Sequence, residues 1–233
     1  MTTWWPPERA TRSRRFSIWR SAASAWRRRR IAARAPGRVE VLSLSPKRGK
    51  AEAVRQGLLR ALTQGPEVVG YFDADLSTPV SEIRRLLDII EQSDAAAVMG
   101  SRISLLGSNI QRSAVRHYLG RIFATAASLV LQTRIYDTQC GAKLFRRSPA
   151  LEAALADPFL SRWSFDVELL GRLLVGTASV PAIDEKKFIE VPLHSWCDVA
   201  GSKLRPAAMA GAVTELARIG LDLTQRRRSA RRR

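Results

Sequence analysis

The stretch GYFDADLSTP, residues 70–79, joins the end of an apolar run to two aspartates, two hydroxyl side chains and a proline. The apolar run is typical of a buried strand, and Pro79 favours the first turn of a helix. Asp73 and Asp75 are two residues apart, so in extended geometry their side chains point the same way. Open α/β sheets bind ligands outside the carboxyl ends of their strands. The stretch therefore predicts a strand that ends at a ligand site.

The same strand-then-helix rhythm continues along the chain from Val39, which predicts an α/β fold with a mostly parallel sheet flanked by helices. We expect a basic segment at 1–38 with no clear strand and a basic helix at Ser17–Arg34. A domain at 39–205 and a C-terminal helix with an arginine-rich, disordered tail at 206–233 complete the predicted organisation. The predicted strands are Val39–Leu44, Val68–Phe72, Ala95–Met99, Cys140–Phe145 and Phe188–Leu193, and the predicted helices begin near Gly49 and Pro79 and cover Ser113–Leu131 and Asp166–Leu174.

The positive charge lies at the two ends of the chain. The formal net charge is +18, of which residues 1–38 and the last ten residues carry +16. Acidic and basic residues nearly balance between them, so binding of nucleic acid or anionic lipid would involve the ends. A basic binding protein that uses these ends is the alternative function, although nucleic acid is the less favoured partner.

The cysteine content and the hydropathy of the sequence indicate the cellular compartment. Two cysteines without a CxxC spacing form no disulfide framework and no zinc motif, which fits a reducing compartment. We find no apolar run of the ~20 residues that span a bilayer, and no secretory signal pattern. We expect a cytoplasmic protein, peripheral on the cytoplasmic face of a membrane. The basic flank of the 113–131 helix would suit that surface, but its periodicity fits packing on the sheet equally well.

Two carboxylates on one side of a strand end suit Mg²⁺ or Mn²⁺, with phosphate oxygens or water completing the octahedron. The alternative is a solvated turn with a helix cap at Ser77 or Thr78. Basic residues after the neighbouring strands favour the ligand site. Arg48, Gly49 and Lys50 open a helix, where backbone N–H groups attract anions. Arg102 follows the next strand and could bind a phosphate through two hydrogen bonds.

Six stretches in this order resemble family 2 glycosyltransferases of the polyprenyl-phosphate type, and most of all dolichyl-phosphate β-glucosyltransferases. The resemblance implies a GT-A fold. It also implies inverting, metal-dependent transfer of a hexose, glucose in the relatives, from UDP- or GDP-hexose to a polyprenyl phosphate. The stretches are KRGKAEAVRQGL, GYFDADLSTPVSEI, VMGSR, DTQCGAKLFRR, WSFDVELL and VPLHSWCDVAGSKL, within residues 37–204.

The resemblance also implies roles for individual residues. Asp75 is the direct metal ligand, and Asp73 lies nearer the nucleoside and shares the metal. The nucleotide side further includes Arg48, Gly49 and Lys50. The catalytic residues are Arg102, Asp137 and Asp166, and the acceptor side includes Arg116, Gln139 and Lys143, with a surface charge as the alternative for Lys143.

The acceptor's chemistry qualifies the role of Asp166. A phosphate monoester has a second pKa near 6 and is already largely a dianion at neutral pH. It needs positioning more than deprotonation. We therefore expect Asp166 to orient groups, and Arg102, Arg116 and Lys143 to hold the acceptor phosphate.

The sequence departs from the family at its beginning. The family's Pro-x-Tyr-Asn-Glu-like and Asp-Asp-Gly-Ser motifs, which serve the nucleoside, have no counterpart in residues 1–38. We expect their absence to remove much of the donor pocket and to leave a strand edge uncovered. One hypothesis is that residues 1–38 come from an out-of-frame or mis-started translation of a GC-rich gene.

Overall fold

The computed structural model describes residues 16–21, 40, 42–111, 114–197 and 206–231, and their side chains within 40, 42–110, 118–197 and 211–229. In chain order the strands are β1 (Phe16–Ser21), β2 (Val68–Asp73), β3 (Ala97–Ser101), β4 (Asn109–Gln111), β5 (Ala142–Arg146), β6 (Phe188–Pro192) and β7 (Ser195–Cys197). The helices are α1 (Gly49–Leu62), α2 (Val80–Gln92), α3 (Ala114–Leu131), α4 (Pro149–Ala156), α5 (Phe165–Val175) and α6 (Pro206–Arg231).

The main sheet has five strands in the order β1-β2-β5-β3-β6, and β4 and β7 form a separate two-stranded sheet. In the main sheet β1 is parallel to β2 and β3 is parallel to β6, whereas β5 is antiparallel to both of its neighbours. Four of the five strands therefore share one direction. This arrangement confirms the predicted mostly parallel α/β sheet and is consistent with a GT-A fold.

The sheet separates two hydrophobic clusters, because successive strand residues face opposite sides. In β2, Val69 and Tyr71 belong to the larger cluster, with α1, α4, α5 and α6. Val68 and Phe72 belong to the smaller cluster, with Leu86 of α2. Helices thus cover both faces of the sheet, as predicted.

The predicted strands and helices between residues 68 and 193 are confirmed, with shifts of a few residues at their ends. The short helix α4 was missed, although Ser148 caps it by accepting a hydrogen bond from the N–H of Leu151, at 3.2 Å, and Pro149 occupies its first turn. A serine followed by proline is a recognised signal for such a start. At the other end of the chain, α6 continues to Arg231, so the prediction of a disordered arginine-rich tail was wrong there.

The predictions for the N-terminal third need correction. In place of the start of the basic helix predicted at Ser17–Arg34, Phe16–Ser21 forms β1, which pairs with β2 along its whole length. Residues 22–34 of that prediction lie outside the described residues. The other edge of β2 pairs with β5. Because β2 has a neighbouring strand on both sides, the uncovered strand edge that we expected is not found there. Of the strand predicted at Val39–Leu44, residues 40 and 42–44 lie outside any strand, and residues 39 and 41 lie outside the described residues.

Candidate active site

A cavity of about 510 Å³ opens at the carboxyl ends of β2 and β3. Seven residues predicted from the sequence as site residues line it, from five separate segments of the chain. The seven are Lys50, Asp73, Asp75, Arg102, Asp137, Gln139 and Asp166. The parallel strands bring these segments together at one edge of the sheet, as expected for an open α/β fold.

Lys50 and Asp73 form an ion pair in this cavity, with Nζ and Oδ1 2.6 Å apart. Burial lowers the pKa of Lys50, but the charges of Asp73 and Asp166 and the hydrogen bond to Asp73 outweigh it, and the pKa is raised above its ordinary value. Lys50 is therefore held as a positive charge beside the end of β2, where it would attract a diphosphate.

Asp75 is exposed at the cavity edge, and its Oδ1 accepts a hydrogen bond from the N–H of Ser77, at 3.0 Å. The alternative of a side-chain cap at Ser77 or Thr78 is wrong, because Pro79 occupies the N-cap position of α2. The described residues contain no group of three or more acidic, histidine or cysteine side chains placed to hold a metal. Asp73 and Asp75 are hard oxygen donors that fit a divalent ion only if substrate oxygens or water supply the other ligands.

Gly141 brings the start of β5 against Asp73. The backbone N–H of Asp73 donates to the carbonyl of Gly141 at 2.8 Å. A Cβ atom added to Gly141 would lie 2.1 Å from Oδ2 of Asp73, closer than any real contact. The missing side chain is therefore what lets the carboxylate occupy this position. Sequence reasoning passed over this glycine, although it lies inside a quoted motif.

Arg102 lines the cavity and is held in place by Asp137. Its Nε and Nη2 donate to the two carboxylate oxygens at 2.6 and 2.7 Å, and its backbone N–H donates to Oδ2 at 3.0 Å. The guanidinium also lies over the ring of Trp196, 5.3 Å from its centroid. Asp137 thus orients Arg102, and its carboxylate is already engaged with this cation.

Glu190 of β6, which sequence reasoning missed, holds Asp137 in turn. Its carboxylate accepts hydrogen bonds from the backbone N–H groups of Tyr136 and Asp137, at 2.8 and 2.6 Å. Burial raises the pKa of Glu190 although these two bonds act against the rise. An isolated acid within the apolar strand FIEVP is the signal that could have pointed to it.

Asp166 lines the cavity from the first turn of α5, where two buried side chains hold it from below. Lys143 donates to its Oδ1 at 2.6 Å, and the hydroxyl of Tyr71 donates to the same oxygen. Burial, and secondly the charge of Asp166, raise the pKa of Tyr71 well above its ordinary value. Tyr71 was not predicted as a site residue, because on β2 it resembled any buried aromatic side chain.

The prediction that Lys143 binds the acceptor phosphate, or is a surface charge, is corrected by this geometry. Its side chain is completely buried and does not line the cavity. Its ammonium group donates to the backbone carbonyl of Cys140, at 2.5 Å, as well as to Asp166. A phosphate cannot reach it without displacing these partners.

Three other predicted residues lie away from the cavity lining or outside the described side chains. Arg48 and Gly49 stand at the start of α1 but do not line the cavity. The side chain of Arg116 lies outside the described residues. Gln139 does line the cavity, and its backbone N–H donates to Oδ1 of Asp137 at 3.2 Å.

Another part of the cavity lining is an apolar wall, formed by apolar side chains of α3 and α6 together with Trp163. Ile122, Trp163 and Val213 are substantially exposed at its rim. Periodicity left open whether α3 packs on the sheet or lies on a membrane surface. The burial of Ala127 and Leu131 shows that one side of α3 packs in the core. The wall comprises Leu119, Ile122, Phe123, Ala126, Trp163, Ala212, Val213 and Leu216.

Glu215 ties α6 to the loop that carries Trp163. Its carboxylate accepts hydrogen bonds from the backbone N–H groups of Arg162, Trp163 and Ser164, at 3.2, 3.2 and 2.9 Å. Burial alone would raise the pKa of Glu215, but these bonds lower it overall. The helix α6 therefore helps to fix the position of the loop at 162–164, which leads directly into α5 and Asp166.

Comparison with known proteins gives a consistent result. Residues 24–152 match the family described as Glycosyl transferase family 2. Dolichyl-phosphate beta-glucosyltransferases from Dictyostelium discoideum and Homo sapiens are 34% and 31% identical over 72% of this chain. The protein of the same name from Saccharomyces cerevisiae is 33% identical over 70% of the chain. These matches cover 49%, 50% and 49% of the three relatives respectively, so the chain spans about half the length of the curated relatives it matches.

Proposed function

We propose that this chain, which belongs to glycosyl transferase family 2, transfers a hexose from a nucleotide sugar to a polyprenyl phosphate. The observation that carries the proposal is the composition of one cavity. Acidic and basic side chains suited to a diphosphate lie at its sheet edge, and an apolar wall suited to an isoprenoid adjoins them. The names of the relatives favour glucose as the hexose.

The donor binds on the side of Lys50, Asp73 and Asp75. Mg²⁺ or Mn²⁺ held by Asp75 and Asp73 would neutralise the charge that develops on the departing UDP or GDP. Lys50 adds a fixed positive charge on the same side, since its ammonium lies 2.6 Å from Asp73.

The acceptor phosphate binds at Arg102. A guanidinium that Asp137 already fixes in place loses little conformational freedom when it binds an anion. The isoprenoid then lies along the apolar wall. Because the phosphate is already ionised, it attacks the anomeric carbon directly from the face opposite the diphosphate, and the configuration inverts.

The rim of the cavity faces the membrane that holds such a lipid. Ile122, Trp163 and Val213 are 65%, 45% and 67% exposed, and Arg121 and Arg162 also line the cavity. Among the described residues, no helix is both long and apolar enough to cross a membrane. We therefore propose peripheral binding to the anionic cytoplasmic face.

Thermal unfolding with UDP or GDP in the presence of Mn²⁺ tests the donor site. We expect either nucleotide to raise the unfolding temperature of the unmodified protein, and Asp75→Ala to lose this protection. Asp88→Ala, which removes an exposed carboxylate from α2, is the matched control and should keep it. Absence of protection in every protein would contradict the donor site. Transfer of labelled glucose from UDP-glucose or GDP-glucose to a short polyprenyl phosphate then tests the reaction itself.

A further inference from the structure

Lys143, Asp166 and Tyr71 form a buried cluster directly beneath the cavity. We infer that Asp166 is a fixed hydrogen-bond acceptor for a hydroxyl group of the donor's sugar, and that Lys143 and Tyr71 are the positioning residues that hold it there. The inference rests on the proposed function, because it assigns one part of the same cavity to the sugar.

The geometry leaves one carboxylate oxygen for a ligand. Both Lys143 and Tyr71 donate to Oδ1 of Asp166, and Oδ2 accepts no hydrogen bond from a described residue. Tyr71 and Lys143 are direct partners in the β2–β5 ladder, so their side chains lie on the same face of the sheet. The two strands therefore set the position of Oδ1, and Asp166 itself lines the cavity.

Stability alone does not account for this cluster. The Lys143 side chain is completely buried and that of Asp166 is 4% exposed. Removing two charges from water costs several kcal/mol per ion, and apolar side chains of similar volume serve a core as well or better. Charged groups kept in such a place are more common at functional sites. Asp166 lines the cavity, so we place that function there.

The charges around Asp166 select a hydroxyl group as its partner. An ionised carboxylate repels a diphosphate, and Lys143 already supplies its counter-charge, so neither a phosphate nor a metal is favoured at Oδ2. The ammonium group of Lys50 lies 5.9 Å from the centre of the ring of Phe165, the residue before Asp166, which places Asp166 next to the donor side. The neutral, hydroxyl-bearing part of a nucleotide sugar is the sugar. Hydrogen bonds to charged acceptors are about twice as strong as neutral ones.

The role differs from that of a general base. The proposed acceptor needs no proton removed, because a phosphate monoester is largely a dianion near neutral pH. Asp166 would instead make the protein bind the nucleotide sugar more tightly than the nucleotide without its sugar. A positioned acceptor of this kind also discriminates between sugars that present or lack the hydroxyl group.

The test compares binding of UDP-glucose with UDP, and GDP-glucose with GDP, in the presence of Mn²⁺. We expect the unmodified protein to bind the sugar nucleotide more tightly than the nucleotide for at least one pair. Asp166→Asn should reduce that preference about tenfold or more, because it removes a charge-assisted hydrogen bond, while the affinity for the bare nucleotide changes by less than about twofold. Tyr71→Phe keeps the charge and should reduce the preference only about threefold.

A double variant separates function from folding. Lys143→Met alone leaves a buried carboxylate without its partner and would destabilise the fold. Lys143→Met with Asp166→Leu removes both charges together, and we expect it to unfold near the temperature of the unmodified protein. It should still bind UDP or GDP but show no preference for the sugar nucleotide. A stable double variant that retains the preference would overturn the inference.

The outcomes distinguish failure of the proposed function from failure of this inference alone. If the unmodified protein binds neither nucleotide, the proposed function and this inference fail together. If it binds a nucleotide but shows no preference for the sugar, or if Asp166→Asn keeps the full preference, the inference fails alone. A lower transfer rate with unchanged preference in Asp166→Asn would also count against it.

Discussion

Arg102 and Asp137 form a two-pronged ion pair at the edge of the cavity, with Nε–Oδ2 and Nη2–Oδ1 distances of 2.6 and 2.7 Å. Both side chains are largely buried, at 15% and 11% exposure. Asp137 itself is held through backbone N–H groups by Glu190. The guanidinium therefore stays in one orientation before any ligand arrives. We propose from this arrangement that Asp137 positions Arg102, while the catalytic role predicted for it stays a prediction.

Replacing Asp137 with asparagine should weaken this arrangement. Asp137→Asn leaves Arg102 without its counter-charge, and we expect a loss of about 1.5–3 kcal/mol in the free energy of unfolding, as for hydrogen bonds to charged groups. Transfer to the polyprenyl phosphate should fall at least about tenfold, chiefly through a higher KM for the acceptor. Chemical denaturation and steady-state kinetics measure the two effects. Asp88→Asn, on the exposed face of α2, should change neither.

A methyl group at position 141 should disturb the donor side selectively. In Gly141→Ala the new Cβ would overlap the Asp73 carboxylate, displace it, and break its ion pair with Lys50. Overpacking of this kind costs about 1–3 kcal/mol, and we expect the Mn²⁺-dependent affinity for UDP or GDP to fall at least about tenfold. Calorimetric titration measures the affinity.

Gly211→Ala is the matched control for that substitution. Its Cβ would meet no atom within 4 Å, and the residue lies within α6. Alanine is favoured over glycine inside a helix, so the variant should be more stable by about 0.5–1 kcal/mol and bind the nucleotide normally. Equal loss of nucleotide affinity in both variants would contradict the role assigned to Gly141.

The link between α6 and the loop at 162–164 should depend on pH. The folded-state pKa of Glu215 lies below its ordinary value of 4.5, so its ionised form contributes stability above that value. This contribution is lost as the pH falls through the folded-state pKa. We expect Glu215→Gln to be less stable than the unmodified protein at pH 7, and the difference to shrink below about pH 4.5.

Denaturant unfolding from pH 7 to pH 3 measures this difference. Glu91→Gln, at an exposed position on α2, is the control and should match the unmodified protein throughout. A Glu215→Gln deficit that stays constant down to pH 3 would show that the carboxylate charge is not what holds the loop.

The two cysteines should differ in reactivity. Burial raises the pKa of Cys140 to about 12, whereas Cys197 is exposed. Because the thiolate is the reactive form, a thiol reagent at pH 8 should modify Cys197 and spare Cys140 until the protein unfolds. Mass spectrometry of the labelled peptides identifies the site. Rapid modification of Cys140 in the folded protein would indicate that the buried segment around Cys140 opens.

The sequence by itself determined the fold class and the location of the site. Local patterns suffice for both, because alternating apolar runs specify strands and helices, and parallel strands share one carboxyl edge. Asp73, Asp75, Lys50 and Arg102 were placed together for this reason. The strand at Phe16–Ser21 escaped prediction because its local sequence pattern is weak. It is recognisable as a strand only from its pairing with the edge of β2.

Only the tertiary structure decided what each charged side chain touches. Lys143 looked like a surface or acceptor-binding residue, yet the antiparallel register of β5 against β2 sets it opposite Tyr71 and beneath Asp166. Glu190 and Glu215 join the site from distant parts of the chain. Such contacts depend on strand order and register, which bring together residues far apart in sequence, and local periodicity carries no information about either.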